Sequence, residues 1–555
     1  MADTNERKNA NEKIKIALIL DKNKIDLWQY IALKKISDLA DICLILNCTN
    51  TTIKRNIKIH FLYYFLNLFS IRNRFSKKLT CKFNEIRKID FVSIYEHNWQ
   101  SLPDEVVQEL KKSDISLVIK FGMGLLKRND PKLNIPIFSF HHGDPDKYRG
   151  RPAGFYEMLF DESSCGVIVQ DICDVLDGGV VYAKGYSKIF KHSYKKTVEN
   201  FYQISGFVLR EAINNFISNI NLKTEALKKP KGKNFRLPSN SLVLKFSFKL
   251  LKFKIKRLLY GLFYEKAWKV SIIESYIDPM KNNVLQTSLG HTLQVNSKFK
   301  FYADPFFGFS KDEIYLEALR SSTGLGSIIA VDGRSSTVRD EIFSGNHYSY
   351  PNSIKADGVF LLFPEVAGHS SPFFINMRRS DSKKEKIYLK GLEQKKLIDA
   401  TLFPNDGLLY LFAGEPDLAN NVLHLYFSKS LSEKFQEHPC SPIRIDPEGA
   451  RMGGNIISYN DELFRIGQDN RFGYGEKVNV FKIQILDENS YSEKLVSSVR
   501  VDGKFGPHTI NVQGDKVVFD FYENHFSVLA WYRRLLGLFL RHMSGIFFKI
   551  AKNYS

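Results

Sequence analysis

The sequence predicts an α/β domain with a mostly parallel, Rossmann-like sheet, followed by an all-β five-bladed propeller. In the first part, apolar strands such as IKIALILD alternate with helical patterns such as LWQYIALKKISDLA. Strands separated by helices favour a parallel sheet. From Trp268 onward the chain changes to short β segments with Gly, Asn and Asp turns. A chain of 555 residues also exceeds one hydrophobic core, so at least two domains are expected.

An internal repeat carries the propeller prediction. Each copy has a special residue, a short strand, a turn, an apolar strand and often an acidic stop. The copies begin at Asp304, Pro351, Asp399, Arg451 and His508, at intervals of 47, 48, 52 and 57 residues. A period of this size with several short strands is typical of a propeller blade, so the repeat predicts five blades.

The predicted organisation has five parts. These are a disordered tail at 1–12, the α/β domain at 13–222, a basic linker or amphipathic segment at 223–262, the propeller at 263–522 and a basic amphipathic helix at 523–555. In the linker, Lys and apolar residues fit the strand and the helix period equally, so its secondary structure stays open.

The net charge of +20 is concentrated in two acid-free segments. Residues 226–264 hold eleven Lys or Arg and residues 526–555 hold five, which leaves 20 − 11 − 5 = +4 for the rest. Both segments are also rich in apolar residues, a combination that favours an anionic membrane surface over nucleic acid. Docking of each apolar face on a neighbouring domain is the alternative.

Several absences bear on compartment and cofactors. The six cysteines show no Cys-x-x-Cys and no paired spacing, so neither a metal nor a disulfide framework is expected. The polar N-terminus does not resemble a secretory signal, and no apolar run of spanning length is free of charge. The expectation is a cytoplasmic protein, with a peripheral position at the inner face of the membrane as an option. No G-x-G-x-x-G follows the first strand, which disfavours a dinucleotide.

Polar side chains stand at strand ends in the first domain. The strand PIFSF runs into His141 and His142, and a later acidic turn, DVLDGG, carries Asp177. Open α/β sheets bind ligands at the carboxyl ends of their strands. A carboxylate there can orient an imidazole that handles a proton or a developing oxyanion.

This stretch resembles the folate-dependent formyltransferases. The match is carried by His141, Tyr148-Arg149-Gly150, Gly166-Val167 and Leu176-Asp177-Gly178-Gly179, in order and approximate spacing. The resemblance implies 10-formyltetrahydrofolate as co-substrate, His141 as oxyanion donor, and Asp177 as the group that orients it. Ser139 stands where the family has Asn. The resemblance places Phe121, Gly122 and Met123 beside the folate, and Tyr148 and Arg149 beside the acceptor, with Arg149 alternatively bracing the loop.

The second part resembles five-bladed glycoside hydrolases such as arabinanases and fructosidases, in Ala303-Asp304-Pro305 and SKSLSEKFQEHPCSPI. It is more similar to the propeller of plant glucosamine inositolphosphorylceramide transferases. Polar residues of separate blades are expected to line one funnel: Asp304, Glu365, Asp399, Arg451, Asp469 and His508. They either bind a sugar, cap blade ends, or act as acid and base on a glycosidic bond.

Together these resemblances predict an N-formyltransferase that acts on a nucleotide- or lipid-linked amino sugar in surface polysaccharide or glycoconjugate biosynthesis. The alternative is a glycan-binding or glycan-assembling protein with a degenerate formyltransferase domain. In that case the propeller carries the binding site or a glycosidase-like or glycosyltransferase-like site. Ser139 favours the alternative, and His141 with Asp177 favours the enzyme.

Overall fold

The computed structural model describes residues 13–50, 57–70, 73–80, 85–97, 99–127, 134–218, 231–356, 358–367, 371–377 and 386–553. The predicted tail at 1–12 lies outside these ranges. The chain forms two compact units, Met1–Lys254 and Ile255–Ser555.

The described elements of the first unit follow in chain order. The strands are β1 Ile14–Asp21, β2 Lys24–Asp26, β3 Ala40–Cys48, β4 Lys78–Thr80, β5 Arg87–Phe91, β6 Ile94–Glu96, β7 Trp99–Ser101, β8 Leu117–Lys120, β9 Leu125–Leu126, β10 Ile137–His141, β11 Tyr148–Gly150, β12 Ser164–Asp171, β13 Val180–Lys188 and β14 Lys233–Phe235. The helices are α1 Leu27–Lys34, α2 Ile57–Ser70, α3 Asp104–Lys112, α4 Phe155–Leu159, α5 Tyr194–Ile217 and α6 Asn240–Phe263. A short 3-10 helix lies at Arg74–Ser76.

The main sheet of this unit has a parallel centre and an antiparallel edge. β1 pairs in parallel with β3 and β8, β3 with β5, and β8 with β10, whereas β10, β12 and β13 pair antiparallel. Helices cover both faces: α3 packs on one, and α5 packs on β12, β13 and α1. Strand β1 is therefore apolar along nearly its whole length, as a doubly covered strand should be.

Helix α3 shows how the sequence sets these helices. Asp104 and Glu105 occupy its first turn and Lys111 and Lys112 its last, which complements the helix dipole. Its apolar residues Val106, Val107 and Leu110 recur on one face and are buried against the sheet.

The elements of the second unit are nearly all strands. They are β15 Tyr264–Glu274, β16 Asn283–Leu285, β17 Gly290–Thr292, β18 Phe299–Phe307, β19 Glu313–Arg320, β20 Gly326–Asp332, β21 Val338–Phe343, β22 His347–Ala356, β23 Val359–Ala367, β24 Phe373–Asn376, β25 Lys386–Tyr388, β26 Ile398–Asn405, β27 Leu408–Gly414, β28 Val422–Ser428, β29 Gln436–Glu437, β30 Arg444–Ile445, β31 Arg451–Met452, β32 Ile457–Tyr459, β33 Glu462–Gln468, β34 Val478–Leu486, β35 Tyr491–Val501, β36 Ile510–Gln513 and β37 Lys516–Phe526. A 3-10 helix lies at Thr287–Leu289, and α7 spans Ala530–Asn553.

These strands form five largely antiparallel sheets. The strands β18, β22, β26 and β31 each begin the repeat in their sheet, and β36 is the edge strand of the sheet that joins β15 to β37. In this set, β18 contacts β36 and β22, β22 contacts β26, and β26 contacts β31. We call these five the inner strands.

Apolar clusters fill the space between consecutive sheets. Leu361 and Leu362 are neighbours on β23, yet both are fully buried, and they belong to different clusters. Successive strand residues face opposite ways, so β23 is packed on both faces. Each of the five sheets likewise shares an apolar cluster with two others. Residues of different sheets that belong to the same cluster are Tyr302 and Val518, Tyr315 and Leu362, Leu361 and Leu411, Phe412 and Met452, and Phe464 and Phe519.

Of the predicted linker at 223–262, residues 223–230 lie outside the described ranges, β14 takes residues 233–235, and helix α6 takes the lysine-rich apolar part that fitted both the strand and the helix period. Lys and Leu favour a helix, and no Gly or Pro interrupts α6 before Gly261. Its buried residues Val243, Phe246 and Leu250 lie on one helical face, with the Phe246 ring centroid 4.3 Å from that of Phe155. The boundary between the two units, at Lys254, falls inside this helix.

Candidate functional sites

Sheet register brings three polar residues of the first unit to one face. Lys120 at the end of β8 pairs with Ser139 on β10, and Ser139 pairs with Gln170 on β12. Paired residues of neighbouring strands share a face, and His141 lies two residues beyond Ser139 on that same face. Ser139 and His141, which were predicted from the sequence, therefore share one surface with Lys120 and Gln170. We call this the strand-end surface.

Asp177 links His141 to the turn at Gly150. Its Oδ1 lies 3.4 Å from Nδ1 of His141, and its Oδ2 accepts the backbone N–H of Gly150 at 3.0 Å. Both side chains are largely buried, with 9% and 12% exposure for His141 and Asp177. Asp177 has a left-handed backbone (φ 52°), a conformation that Asp tolerates because its short polar side chain bonds locally.

The other ring nitrogen of His141 is also occupied. Nε2 lies 3.0 Å from the carbonyl oxygen of Tyr148, to which it donates. The imidazole is thus held at both ends, between a carboxylate and a backbone carbonyl. For His141 to donate to a substrate oxyanion, it would have to give up one of these partners.

Lys120 is a charged residue at the end of an otherwise apolar strand. Burial lowers the pKa of Lys120 to about 8, against the opposing charges of Asp21 and Asp177. Asp21 ends β1, and its Oδ1 accepts the backbone N–H of Met123 at 2.8 Å. Lys120 therefore sits between two carboxylates, one on each side of the strand-end surface.

The predicted folate-side residues pack against the end of β1. A Cβ on Gly122 would lie 2.5 Å from the carbonyl carbon of Leu20, so only glycine fits there. The Phe121 ring meets Trp28 edge-on at 5.9 Å, and Met123 is buried with φ 56°.

The predicted acceptor-side residues brace the loops. Arg149 donates to the carbonyl of Leu176 at 2.8 Å, so it ties the loop of Asp177 to β11, and its Nε is buried without a hydrogen-bond partner. The Tyr148 hydroxyl donates to Glu162 at 3.0 Å. These contacts support the bracing interpretation of Arg149, with a carbonyl rather than an acidic group as partner.

His142 faces away from His141 and serves the core. Its Nε2 lies 3.0 Å from the Ser205 hydroxyl, and its ring meets Trp28 edge-on at 5.1 Å. Burial and the charge of His141 lower the pKa of His142 to about 3, so it is a neutral packing residue.

In the second unit, the inner strands place strained residues at equivalent positions. Asp304, Tyr350 and Asp399 all have a left-handed backbone (φ 49°, 45° and 45°), and each sits at a register shift between its strand and the next. Such strain persists only where the surroundings enforce it, and it concentrates at functional sites. The equivalent residue of the second repeat is Tyr350, not the predicted Pro351.

Asp399 is the centre of one polar group. It is 1% exposed, and its Oδ2 accepts from Nε of Arg451 at 2.5 Å and from Nε2 of Gln468 at 2.9 Å. Its backbone N–H donates to Glu365 at 2.9 Å. Burial, followed by the charge of Asp399, raises the pKa of Glu365 to about 8, so Glu365 is protonated at neutral pH.

His508 is the centre of a second polar group. Its Nδ1 lies 3.0 Å from Asp304 and 3.4 Å from Asp520. Burial alone would lower the pKa of His508, yet the two carboxylates raise it to about 10. Burial would likewise raise the pKa of Asp304, but the charge of His508 outweighs it and lowers this pKa. His508 is thus an imidazolium, and its buried Nε2 has no hydrogen-bond partner.

Aromatic rings lie beside both groups. The Tyr474 ring is 4.6 Å from His508 and 5.2 Å from the Arg451 guanidinium, and Trp268 is 5.5 Å from His508. Tyr474 is nevertheless 40% exposed. Arg451 and His508 therefore lie beside one solvent-accessible tyrosine, and each is paired with an aspartate, Asp399 and Asp304 respectively.

Asp469 takes a different position from the one predicted. Its buried carboxylate pairs with Arg471 at 2.7 Å and Lys477 at 3.2 Å rather than with the Asp399 group. Asp304, His508 and Asp520 lie close enough to ligate a cation. However, Asp520 already accepts backbone N–H groups of Asp304, His508 and Thr509, which favours the protonated histidine as the bound charge.

This arrangement supports two kinds of chemistry. Buried carboxylates beside an accessible aromatic ring suit a hydroxyl-rich ligand such as a sugar. A protonated Glu365 and an ionised Asp304 also supply one acidic and one basic carboxyl group, the two group types that glycosidic bond chemistry uses.

Comparison with known proteins places the second unit near a named family. The family "Glucosamine inositolphosphorylceramide transferase 1, N-terminal" matches residues 264–513. Glucosamine inositolphosphorylceramide transferase 1 of Oryza sativa subsp. japonica is 31% identical over 224 residues, which cover 38% of this chain. The aligned region spans about 30% of the length of that relative.

Solved structures resemble the chain at low identity. Glycinamide ribonucleotide transformylase 1 from Symbiobacterium toebii is 12% identical, with a TM-score of 0.27, over 38% of this chain and 94% of that one. A sugar N-formyltransferase from a Shewanella species is 11% identical, with a TM-score of 0.25, over 43% of this chain and 87% of that one.

The expectation of a cytoplasmic protein is wrong. It rested on the polar N-terminal residues and the scattered cysteines, whereas the rice relative is named as a glucosamine inositolphosphorylceramide transferase. Across the described ranges, every helix falls short of the length and apolar character that crossing a membrane requires.

The sequence did not single out Lys120, Gln170, Tyr474 or Asp520 as site residues. Lys120 had a visible signal, because a lysine ending the apolar run LVIK is unusual for a strand covered on both faces. Asp520 had a weaker one as an acidic residue inside VVFDFY. The places of Gln170 and Tyr474 in the sites depend on strand register and on the packing of sheets, and no local sequence pattern predicts either.

The ion pair of His508 predicts a pH-dependent stability. The pKa of His508 is raised on folding, so its stabilisation is fully present below about 6.5 and is lost as pH rises through about 10. We expect His508→Gln to destabilise the second unit by about 3 kcal/mol at pH 6, with the difference from wild type shrinking steadily toward pH 10. Calorimetric melting between pH 6 and pH 10 measures this. His525→Gln, at an exposed histidine, is the matched control, and a difference independent of pH would contradict the ion pair.

Proposed function

We propose that the first unit transfers a formyl group from 10-formyltetrahydrofolate to the amine of an amino sugar. The observation that carries this is the pairing of His141 with Asp177, 3.4 Å apart at the carboxyl end of a parallel sheet. An amine that attacks a formyl carbon loses a proton while the carbonyl oxygen gains charge. The pair of His141 and Asp177 is suited to the first task, the handling of the proton.

The remaining residues of the strand-end surface have matching roles. Asp177 holds the imidazole and moves the proton, and the Ser139 hydroxyl is a donor toward the reacting carbonyl. Gln170 is 5% exposed, and its Oε1 has no hydrogen-bond partner, so it offers an acceptor to an N–H of the bound folate. Phe121, Gly122 and Met123 supply the backbone beside the folate, and Arg149 fixes the loop that carries Asp177.

The acceptor is a nucleotide- or lipid-linked amino sugar in the assembly of a surface polysaccharide or glycoconjugate. The match of residues 264–513 to a family named for glucosamine transfer to a sphingolipid supports a sugar-bearing substrate. Methionyl-tRNA fits less well, because the positive charge is segregated with apolar residues on α6 and α7.

A second candidate function is sugar binding by the second unit, with the first unit degenerate in folate chemistry. Here the five sheets are the blades of a propeller, and their inner strands surround its axis. The favouring observation is the convergence of Asp304, Asp399, Arg451 and His508 beside the accessible ring of Tyr474. Carboxylates accept hydrogen bonds from neighbouring sugar hydroxyls, and an aromatic ring stacks on the apolar face of a sugar.

An anionic lipid surface is the proposed partner of the basic helices. On α6, Leu244, Phe248 and Leu251 are at least half exposed between lysines. Helix α2 adds a second exposed apolar face, and it lies beside α6 because Leu62 donates its backbone N–H to Asn240 at 3.0 Å. Exposed aromatic and aliphatic residues flanked by Lys are typical of helices that lie in a membrane interface. The apolar residues exposed on α2 are Ile57, Ile59, Phe61, Phe65, Leu68 and Phe69.

Formyl transfer predicts a defect specific to Asp177. The full chain should bind a stable 10-formyltetrahydrofolate analogue in calorimetry, and it should formylate one of a panel of nucleotide-linked amino sugars. Asp177→Asn should keep analogue binding and lose about 10²–10³-fold in kcat, because the imidazole loses its charged partner. Asp174→Asn, three residues earlier and exposed, is the control. Absence of analogue binding by wild type would refute formyl transfer.

Sugar binding at the propeller axis predicts a defect at Tyr474. Glucosamine and N-acetylglucosamine should show saturation-transfer signals with the full chain, and Tyr474→Ala should weaken the apparent affinity at least about tenfold, since a stacking face is lost. Tyr388→Ala, at a 49% exposed tyrosine on the outer strand β25, is the control. Equal losses in both variants would argue against the axis.

Lipid binding predicts a dependence on both charge and apolar exposure. The full chain should float with phosphatidylserine-containing vesicles and much less with pure phosphatidylcholine vesicles. Phe248→Glu should reduce flotation several-fold, because it removes an exposed ring and adds a negative charge. Tyr388→Glu makes a comparable change outside the helices. Retained flotation of Phe248→Glu would instead indicate that α6 does not face the bilayer.

A further inference from the structure

The reaction proposed above needs a stronger hydrogen-bond donor at the strand-end surface than His141 or Ser139 provides. When the amine attacks, the formyl oxygen becomes an oxyanion that needs hydrogen-bond donors already in place. Both ring nitrogens of His141 are engaged, by Asp177 and by the Tyr148 carbonyl. Ser139 offers a single short hydroxyl. One preorganised donor is worth about 10²–10³ in rate, so a site limited to these groups would be weak.

Lys120 is a candidate for that donor. It is the direct cross-strand partner of Ser139, and both residues lie on the face that carries His141. Directly opposite residues of neighbouring strands have their side chains close together. A lysine is long enough to carry its ammonium past Ser139 toward the strand-end surface, where the formyl carbon would sit.

A second observation indicates that this face takes a ligand. Gln170, which pairs with Ser139 from the other side, is 5% exposed and has an Oε1 without any hydrogen-bond partner. Buried polar atoms are normally satisfied, so an open one at a candidate site points to a group that arrives with the substrate. The row Lys120, Ser139, Gln170 thus offers a cation, a hydroxyl and an open acceptor side by side.

We propose that Lys120 is a catalytic residue of formyl transfer, whose ammonium donates to the oxyanion of the tetrahedral intermediate. This inference rests on the proposed function. The amine nitrogen forms a bond to the formyl carbon while the carbonyl π bond opens, and the oxygen takes up the electron pair beside Lys120. The proton of the attacking amine leaves toward Asp177. The carbonyl then re-forms, the bond from carbon to N10 of the folate breaks with its electron pair passing to N10, and Asp177 gives N10 the proton that it took from the amine.

The charged neighbours of Lys120 are compatible with this role. Asp21 faces it from β1 and Asp177 from the 174–179 loop, and His141 is the titratable group on β10. The two carboxylates favour the ammonium, whereas burial disfavours it, and the pKa of Lys120 falls to about 8. A donor of this kind is protonated at pH 7 and is lost as pH rises through about 8.

The test compares Lys120→Met, Lys120→Arg and wild type in the full chain, with an exposed-site control, Lys24→Met. Lys120→Met should lower kcat about 10²–10³-fold and leave affinity for the 10-formyltetrahydrofolate analogue within about threefold. Lys120→Arg should retain more activity, because it keeps a cationic donor. Wild-type kcat should fall above pH 8, and this alkaline limb should be absent from Lys120→Met. Melting curves verify that Lys120→Met is folded.

A double variant separates catalysis from support of the fold. Adding Ser139→Asn to Lys120→Met should restore part of kcat, because an amide donor then occupies the neighbouring position. A Lys120→Met enzyme with wild-type kcat and an unchanged alkaline limb would overturn the inference and leave formyl transfer intact. A wild-type chain that neither binds the analogue nor transfers formyl would remove the proposed function, and the role of Lys120 with it.

Discussion

The carboxylate of Asp177 is the interaction on which the first site depends. One oxygen faces the imidazole of His141, and the other accepts the backbone N–H of Gly150. It thus ties together the end of β10, the turn at β11 and its own loop. Arg149 strengthens the same junction through the Leu176 carbonyl. These segments are distant in sequence, and a single side chain with two acceptor oxygens sets their relative positions.

A similar device stands in the second unit. Asp520 is fully buried and accepts the backbone N–H groups of Asp304, His508 and Thr509. It joins β37 to β18, so the last sheet is held to the first of the repeat. The same carboxylate helps to keep His508 charged. The contact between these two sheets and the charge of His508 therefore both depend on one residue, which explains why a buried aspartate is tolerated in an apolar strand.

The sequence was sufficient wherever one local pattern determined the outcome. The buried runs of β1 and β10 are recognisable as strands, and the strand-end positions of His141 and Asp177 predict that they act together. The reason for their contact is different, because β12 is antiparallel to β10 and the loop after β12 returns Asp177 to His141. The repeat spacing located Asp304 and Asp399. Lys120 escaped notice because its meaning depends on register: the run LVIK shows a charge at a strand end but not that Ser139 lies across from it.

Other errors have the same physical origin. The second repeat was aligned on Pro351, whereas the left-handed backbone that marks the position is at Tyr350. The predicted repeat thus begins one residue too late, at a proline. Because successive residues of a strand face opposite ways, an offset of one residue selects the wrong face of the sheet. Asp469 was placed in the funnel by its position after an apolar strand, yet Arg471, only two residues later, pairs with its carboxylate. The spacing of residues in a sequence shows neither which residue a side chain pairs with nor which face of the sheet it occupies.

The two sites share one electrostatic design. Each central cation, Lys120, Arg451 or His508, has at least one carboxylate beside it, so none of these charges is buried alone. Burying such a pair of charges costs desolvation energy, so the pairing by itself is weak evidence that these residues stabilise the fold. It does hold donors and acceptors in fixed directions before a ligand arrives. Beside these pairs, Gln170 and His508 keep one unsatisfied polar atom each, and a ligand that bonded those atoms would recover energy that the folded chain leaves unused.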